Sequence, residues 1–159
     1  MESVVARQNS TRERFNYIVS RIDDQYHQMA VFFGISNSAF NVLYVLYQLG
    51  GSCRQSALTE NLGISRKTIN SSLQKMAGEG LLTIEKGQGR STKVELTDRG
   101  RDCAERIIVP VIAAENSLFE TWTQEERDQF LRLNQRYLSQ IRERFEEIRS
   151  REQERPGRV

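Results

Sequence analysis

Between Asn61 and Gly78 the chain carries no aspartate or glutamate, yet this stretch presents Ser65, Arg66, Lys67, Thr68, Asn70, Ser71, Gln74 and Lys75. That is hydrogen-bonding chemistry beside positive charge. Asn and Gln can pair bidentately with adenine in a DNA major groove, while Ser and Thr can serve several bases or phosphates. Cations at the margins hold the register on the phosphate walls. An ordinary solvated helix face mixes Glu with Lys for i,i+4 pairing; this one withholds the Glu. A second basic run follows, with Lys86, Gln88, Arg90, Ser91 and Lys93 around two glycines and no acid from 86 to 94. At a hairpin tip an arginine has no core task, and a narrow minor groove attracts one. Arg90 is therefore the leading contact outside the first stretch. Arg54 and Gln55, just upstream of the first run, complete the expected contact set.

Charge along the chain agrees with this placement. The formal net charge is +2, but residues 50–100 hold eight basic and five acidic side chains, whereas residues 1–49 cancel and residues 101–159 sum to −1. A local cationic surface in a nearly neutral chain is the footprint of phosphate contact. No Phe, Tyr or Trp lies between Gln48 and Leu118, so the basic region has no platform for stacking unpaired bases. Duplex DNA is favoured over single strands or RNA.

Other chemistries lack their parts. Two cysteines, Cys53 and Cys103, and one histidine, His27, form no C-x-x-C or H-E-x-x-H, so no metal and no cofactor is expected. Neither a G-x-x-x-x-G-K-[ST] nor a G-x-G-x-x-G is present. A hydrolase pairing either thiol with His27 has no supporting spacing, and the chain is not expected to be an enzyme. With no cationic cluster beside them in sequence, the thiols read as small buried hydrophobes rather than redox sensors. The longest apolar run, Ile107 to Ala114, is far short of the ~20 residues of a membrane helix. Nothing in Met1-Glu2-Ser3 resembles a signal peptide, so a cytoplasmic chain with no membrane partner is expected.

The elements that must position the basic runs follow from hydrophobic spacing. Phe15, Ile18, Val19, Ile22, Tyr26, Met29 and Phe33 make one helical stripe ended by Gly34. Ser38 to Leu49 is an amphipathic helix closed by Gly50-Gly51. Gln55 to Leu62 is a short helix with Gly63 as its C-terminal stop. Ser65 caps a third helix running to about Glu79, whose Ile69, Leu73, Met76 and Ala77 share the core side at 100° per residue. Leu82 and Ile84, then Val94 and Leu96, alternate as strands on either side of Gly87–Ser91. Asp98 to Phe119 is a helix capped by Thr97 and bent at Pro110, with Ile107–Ala114 in the most buried region. Thr123 and Glu126 form a capping box before a helix striped by Phe130, Tyr137, Leu138, Ile141, Phe145 and Ile148. The flanking stripes are too narrow to bury themselves and call for a second copy of the chain.

The predicted fold is mainly α with a small β-hairpin: a winged helix-turn-helix over residues 36–100 and a helical dimerization domain from residues 1–35 and 101–159. Ala57-Leu58, Gly63-Ile64-Ser65-Arg66-Lys67-Thr68-Ile69, Met76, Glu79-Gly80-Leu81-Leu82, Gly89-Arg90 and Leu96-Thr97-Asp98-Arg99-Gly100 closely resemble the MarR family of bacterial transcriptional regulators. The resemblance implies a homodimer with interlocked terminal helices, two winged lobes on a palindromic operator, and release by a small-molecule effector. A ligand-responsive repressor acting by promoter occlusion is the expectation. Family wings commonly carry an acid followed by paired arginines; Gln88-Gly89-Arg90 keeps one arginine, which alters the geometry expected of the wing contact. Tyr17, Tyr26, His27, Phe33, Phe40 and Tyr44 are the candidate effector pocket. The competing reading is a helical interaction protein whose winged lobe binds protein instead of DNA.

Overall fold

The computed structural model describes residues 10–87 and 91–154. In chain order the elements are α1 (Ser10–Phe32), α2 (Asn37–Gln48), β1 (Ser52–Arg54), α3 (Gln55–Leu62), α4 (Arg66–Gly78), β2 (Leu82–Lys86), β3 (Thr92–Leu96), α5 (Asp98–Glu120) and α6 (Gln124–Gln153). The chain divides into two compact units, Met1–Val111 and Ile112–Val159, so the boundary falls inside α5.

In the first unit, local chemistry starts and stops each helix. Ser36 caps α2 by accepting from the Ala39 amide at 3.2 Å, and Ser65 caps α4 by accepting from the Thr68 amide at 3.1 Å. Gly63 ends α3 at φ 62°, the left-handed turn that other residues resist. Around these stops, Phe40, Leu43, Leu46, Leu58, Ile69, Leu73, Met76, Val94, Leu96, Ile107 and Ile108 are all at most 2% exposed. Each such side chain contributes roughly 1.5–3 kcal/mol of transfer free energy. That core fixes α4 against α2 and the sheet, and so fixes which face of α4 looks outward.

The sheet is larger than the expected hairpin. Its order is β1-β3-β2, with Ser52↔Glu95, Cys53↔Val94 and Arg54↔Lys93 paired antiparallel. After the turn at Gly50-Gly51, the Gly51 carbonyl accepts from the Leu96 amide at 2.8 Å and draws the next three residues alongside β3. β2 pairs on the other side, from Leu82↔Leu96 to Lys86↔Thr92.

The start of α5 is clamped onto the turn between α4 and β2. Thr97 donates its hydroxyl to the Gly80 carbonyl at 2.6 Å, its hydroxyl oxygen accepts from the Gly100 amide at 3.0 Å, and its own amide reaches the Leu81 carbonyl at 3.1 Å. Gly100 sits so close that an added Cβ would lie 1.8 Å from the Leu81 oxygen. Pro110 lies inside α5, and the helix continues to Glu120. Within Ile107–Ala114, Ile107, Ile108 and Val111 are buried in the single chain, while Val109, Pro110, Ala113 and Ala114 are exposed.

In the second unit the Thr123–Glu126 capping box is complete. Phe119, Trp122 and Phe130 cluster with ring centroids 5.2 to 6.0 Å apart. Arg127 ties the corner by donating to the carbonyls of Phe119 and Trp122 at 2.7 and 2.8 Å. No residue of α6 is buried; Tyr137, Leu138, Phe145 and Ile148 are 43–55% exposed. On α1, in the first unit, Tyr17, Ile18 and Ile22 are 51–67% exposed. No single helix among the described residues is long and apolar enough to cross a membrane.

Candidate nucleic-acid interface

The periodicity of α4 sorts its two faces cleanly. Ile69, Leu73 and Met76 are buried, while Arg66, Lys67, Thr68, Asn70, Ser71, Gln74 and Lys75 are exposed. Several of these polar groups already have work within the helix. The Ser65 and Thr68 hydroxyls are 2.8 Å apart, and the Ser71 hydroxyl donates to the Thr68 carbonyl at 3.0 Å. Ser71 is thereby left as an acceptor. Lys75 lies 3.9 Å from Glu79, too far for a hydrogen bond to hold the lysine in place. Lys67 makes no salt bridge, and Gln74 no side-chain hydrogen bond, among the described residues.

A groove of about 330 Å³ runs beside this face, lined by Ser36 and Ser38 at the start of α2 and by Ser71, Ser72 and Lys75 of α4. Ser36 and Ser38 had no site role in the sequence reading. Their signal was a Ser-x-Ser pair just ahead of an apolar helix, where a hydroxyl is expected to cap.

The wing is only partly described. Gln88 and Arg90 lie outside the described residues. The hairpin ends at Lys86↔Thr92, and the Gly87 amide donates to the Ser91 carbonyl at 2.9 Å. Lys86 and Ser91 are exposed at this end.

Two expected contacts change character. Lys93 is not a free cation: its ammonium is 2.6 Å from Glu95 and faces Glu85 across the ladder. The Glu95 hydrogen bond and charge raise the Lys93 pKa above its ordinary value, and the same hydrogen bond lowers that of Glu95. The stretch from 86 to 94 is acid-free along the chain, but pleating brings residues 93 and 95 to one face and sheet pairing adds residue 85. The third strand places exposed Arg54 beside Lys93 in the same row. Gln55 is the larger correction. It is 4% exposed, the one buried polar residue among those described, and its amide donates to the Asn70 side-chain oxygen. As the first residue of α3 it is tied to α4 through Asn70 instead of standing free at the surface.

The aromatic set is divided. Tyr26, Phe40 and Tyr44 come together, with centroids 6.4 and 6.3 Å apart along the series, and line a groove of about 210 Å³ with Asn41, Val45 and Leu62. Phe33 instead meets Phe32 edge-on at 5.1 Å and lines a different depression with Arg99, Cys103 and Arg106. Tyr17 and His27 are exposed on α1 and join neither groove. Both cysteines are free and half-buried. Burial pushes the Cys53 thiol up, away from thiolate reactivity. Cys103 shares its depression with two guanidinium groups that helical spacing brings from positions 99 and 106.

Residues 33–91 match the sequence profile of the MarR family. No curated protein matches the chain. Among solved structures, the chain is similar to NMB1585, a MarR family regulator from Neisseria meningitidis, at 22% identity and TM-score 0.70, covering 88% of this chain and 96% of that one. A MarR family transcriptional regulator from Silicibacter pomeroyi is 23% identical with TM-score 0.66 over 82% and 89%. MepR of S. aureus, solved in complex with DNA, is 18% identical with TM-score 0.65 over 81% and 96%. Residues 33–91 thus carry the MarR family profile, and the chain has a fold similar to that of these solved MarR family regulators.

Proposed function

We propose that the protein is a dimeric, sequence-specific regulator of transcription that binds double-stranded DNA, and acts as a ligand-responsive repressor on a palindromic operator. The observation that carries this is α4: a capped helix, held by a buried stripe, that turns an acid-free face of amides, hydroxyls and cations to solvent. A helix of that width and chemistry suits a major groove. The MepR structure, with the same fold, is a DNA complex.

One lobe offers few phosphate contacts. Linking two makes the second engagement intramolecular, and two-fold symmetry matches a palindrome. The uncovered apolar faces of α1 and α6 support a second copy as the link. Recognition helices about 34–36 Å apart would then enter successive major grooves. An effector seated by Tyr26, Phe40 and Tyr44 would bias the lobe spacing and so the affinity. PcaV of Streptomyces coelicolor, also of this fold, is solved with its natural ligand.

The test is retardation of duplex DNA from the gene's own upstream region, measured against salt. Binding should weaken steeply as salt rises. Arg90→Ala should weaken binding to all sequences, and Gln74→Ala should relax preference at particular bases. No retardation of any duplex at low salt, with the chain dimeric, would favour a protein-binding lobe and refute the proposal.

A further inference from the structure

We propose that the groove between the start of α2 and the flank of α4 seats a backbone phosphate of the duplex, with the Ser36–Ser38 pair and Ser72 donating hydroxyls to it and Lys75 supplying the charge. This rests on the duplex-binding reading above and adds α2, an element without a role in that reading, to the surface that grips DNA.

An α-helix with its side chains is about 10–12 Å across, and a B-DNA major groove is about 12 Å wide. A helix lying in that groove therefore meets the phosphate walls along its flanks, beside the face that reads bases. With Ile69 at zero and about 100° per residue, Lys67 and Gln74 lie opposite the core, while Ser71, Lys75 and Ser72 step round one side at about 200°, 240° and 300°. Ser71 and Lys75 are exposed and Ser72 is half-buried. The start of α2 stands against this flank: Ser36 and Ser38 join Ser71, Ser72 and Lys75 in lining a groove of about 330 Å³. The groove is thus continuous with the acid-free face of α4, at the edge where a wall of the duplex would run.

A phosphodiester has no proton to give and calls for donors and positive charge. The groove holds both. Ser36 accepts from the Ala39 amide as the cap of α2, and its hydroxyl lies 3.2 Å from that of Ser38. One hydrogen serves that contact, so the pair keeps a second one to give. Ser72 makes no side-chain hydrogen bond among the described residues and adds another. Ser71 has spent its hydrogen on the Thr68 carbonyl and adds none. Lys75 brings the charge. Glu79, the one acid that lines the groove, is 3.9 Å from Lys75, so a phosphate has no formed hydrogen bond to displace from the lysine.

The full-length chain is titrated into a labelled duplex from the gene's own upstream region, and into the same duplex with one phosphate at a time replaced, in both half-sites, by a neutral methylphosphonate. Ser38→Asp, Ser139→Asp and the Ser38→Ala/Ser72→Ala double variant are run alongside. Ser38→Asp sets a carboxylate in the groove yet suits the first turn of a helix, where negative charge is favoured, so its melt should match the native one. It should weaken binding to the unmodified duplex by about tenfold or more. Ser139→Asp makes the same charge change at an exposed position of α6 opposite its apolar stripe, and should leave affinity within about twofold. At one phosphate per half-site the methylphosphonate should weaken the native chain but strengthen Ser38→Asp, since neutralising that phosphate removes an attraction from one and a repulsion from the other. At every other phosphate the two should respond alike. If Ser38→Asp melts low, the double variant decides: the same methylphosphonate should cost it less than it costs the native chain. Equal affinities of Ser38→Asp and the native chain, equal losses in Ser38→Asp and Ser139→Asp, or no phosphate at which native and variant responses part, overturns the inference alone. A native chain that retards no duplex overturns the duplex-binding reading with it.

Discussion

Lys67→Ala and Lys93→Ala each delete one positive charge from the same lobe, yet the structure assigns them unequal effects on duplex binding. Lys67 stands exposed on the outward face of α4 with no salt bridge among the described residues. Lys93 has its ammonium 2.6 Å from Glu95 and faces Glu85 across the ladder. Each phosphate neutralised on duplex DNA adds about 0.9 to the slope of log affinity against log salt. With two lobes engaged, Lys67→Ala should flatten that slope by about 1.8. Between about 50 and 200 mM salt this amounts to a native chain losing about 12-fold more affinity than the variant. Lys93→Ala should leave the slope nearly unchanged, because that ammonium is already engaged by carboxylates. The complementary variant is Glu95→Gln with Glu85→Gln, which releases Lys93 and should steepen the slope. Fluorescence anisotropy of a labelled duplex, titrated at four or more salt concentrations, reads all three. Equal flattening by Lys67→Ala and Lys93→Ala would refute the reasoning, since it would make the sheet's own carboxylates irrelevant to the wing.

Three further outcomes follow from other parts of the fold. Gly100→Ala puts a Cβ 1.8 Å from the Leu81 carbonyl oxygen, forcing α5 off the turn it clamps; a loss of about 3 kcal/mol, or about 6–12 °C in melting temperature, is expected, and an unchanged melt would refute the contact. Glu126 is held below the usual carboxylate range by the Thr123 amide and then its hydroxyl. Its contribution is therefore full above the unfolded carboxylate pKa and is lost as pH falls through the lowered folded value. Glu126→Gln should flatten the acid limb of stability against pH, as followed by thermal melts, and Thr123→Ala should cost about 1 kcal/mol through the lost cap. Leu138→Glu with Phe145→Glu places charge on the uncovered face of α6; sedimentation velocity should show a dimer in the native chain and a monomer in the variant, and a monomeric native chain would refute the second-copy reading.

The helices were legible because each carries its own punctuation. Ser65 before an Ile69/Leu73/Met76 stripe, Gly63 after Leu62, and Thr123 with Glu126 are local signals, and the helices begin and end beside them. β1 was not legible. Three residues cannot display alternation, and Ser52–Arg54 becomes a strand only because β3 lies alongside. The three aromatics Tyr26, Phe40 and Tyr44 were foreseen as a group, but Tyr17, His27 and Phe33 were not separable from them, since a helical stripe does not say which of its members meets which neighbour. The burial of Gln55 was likewise invisible: a polar residue opening a short helix beside an arginine reads as a surface contact until α4 is laid across it.

Gln74 and Asn70 carry the same functional group one helical turn apart, and composition treats them as equivalent adenine readers. They are not equivalent in the fold. Gln74 has no side-chain partner among the described residues, so both its oxygen and its nitrogen remain available and the bidentate adenine contact stays open to it. Asn70 is hydrogen-bonded to the buried Gln55 side chain. The same distinction separates Lys67 from Lys93, two lysines of equal charge of which one is committed to carboxylates. In each pair the residue type sets the chemistry that is possible, and packing gives one member a polar neighbour that the other lacks. Gln55, Glu85 and Glu95 thus set the surroundings of exposed polar groups on this lobe.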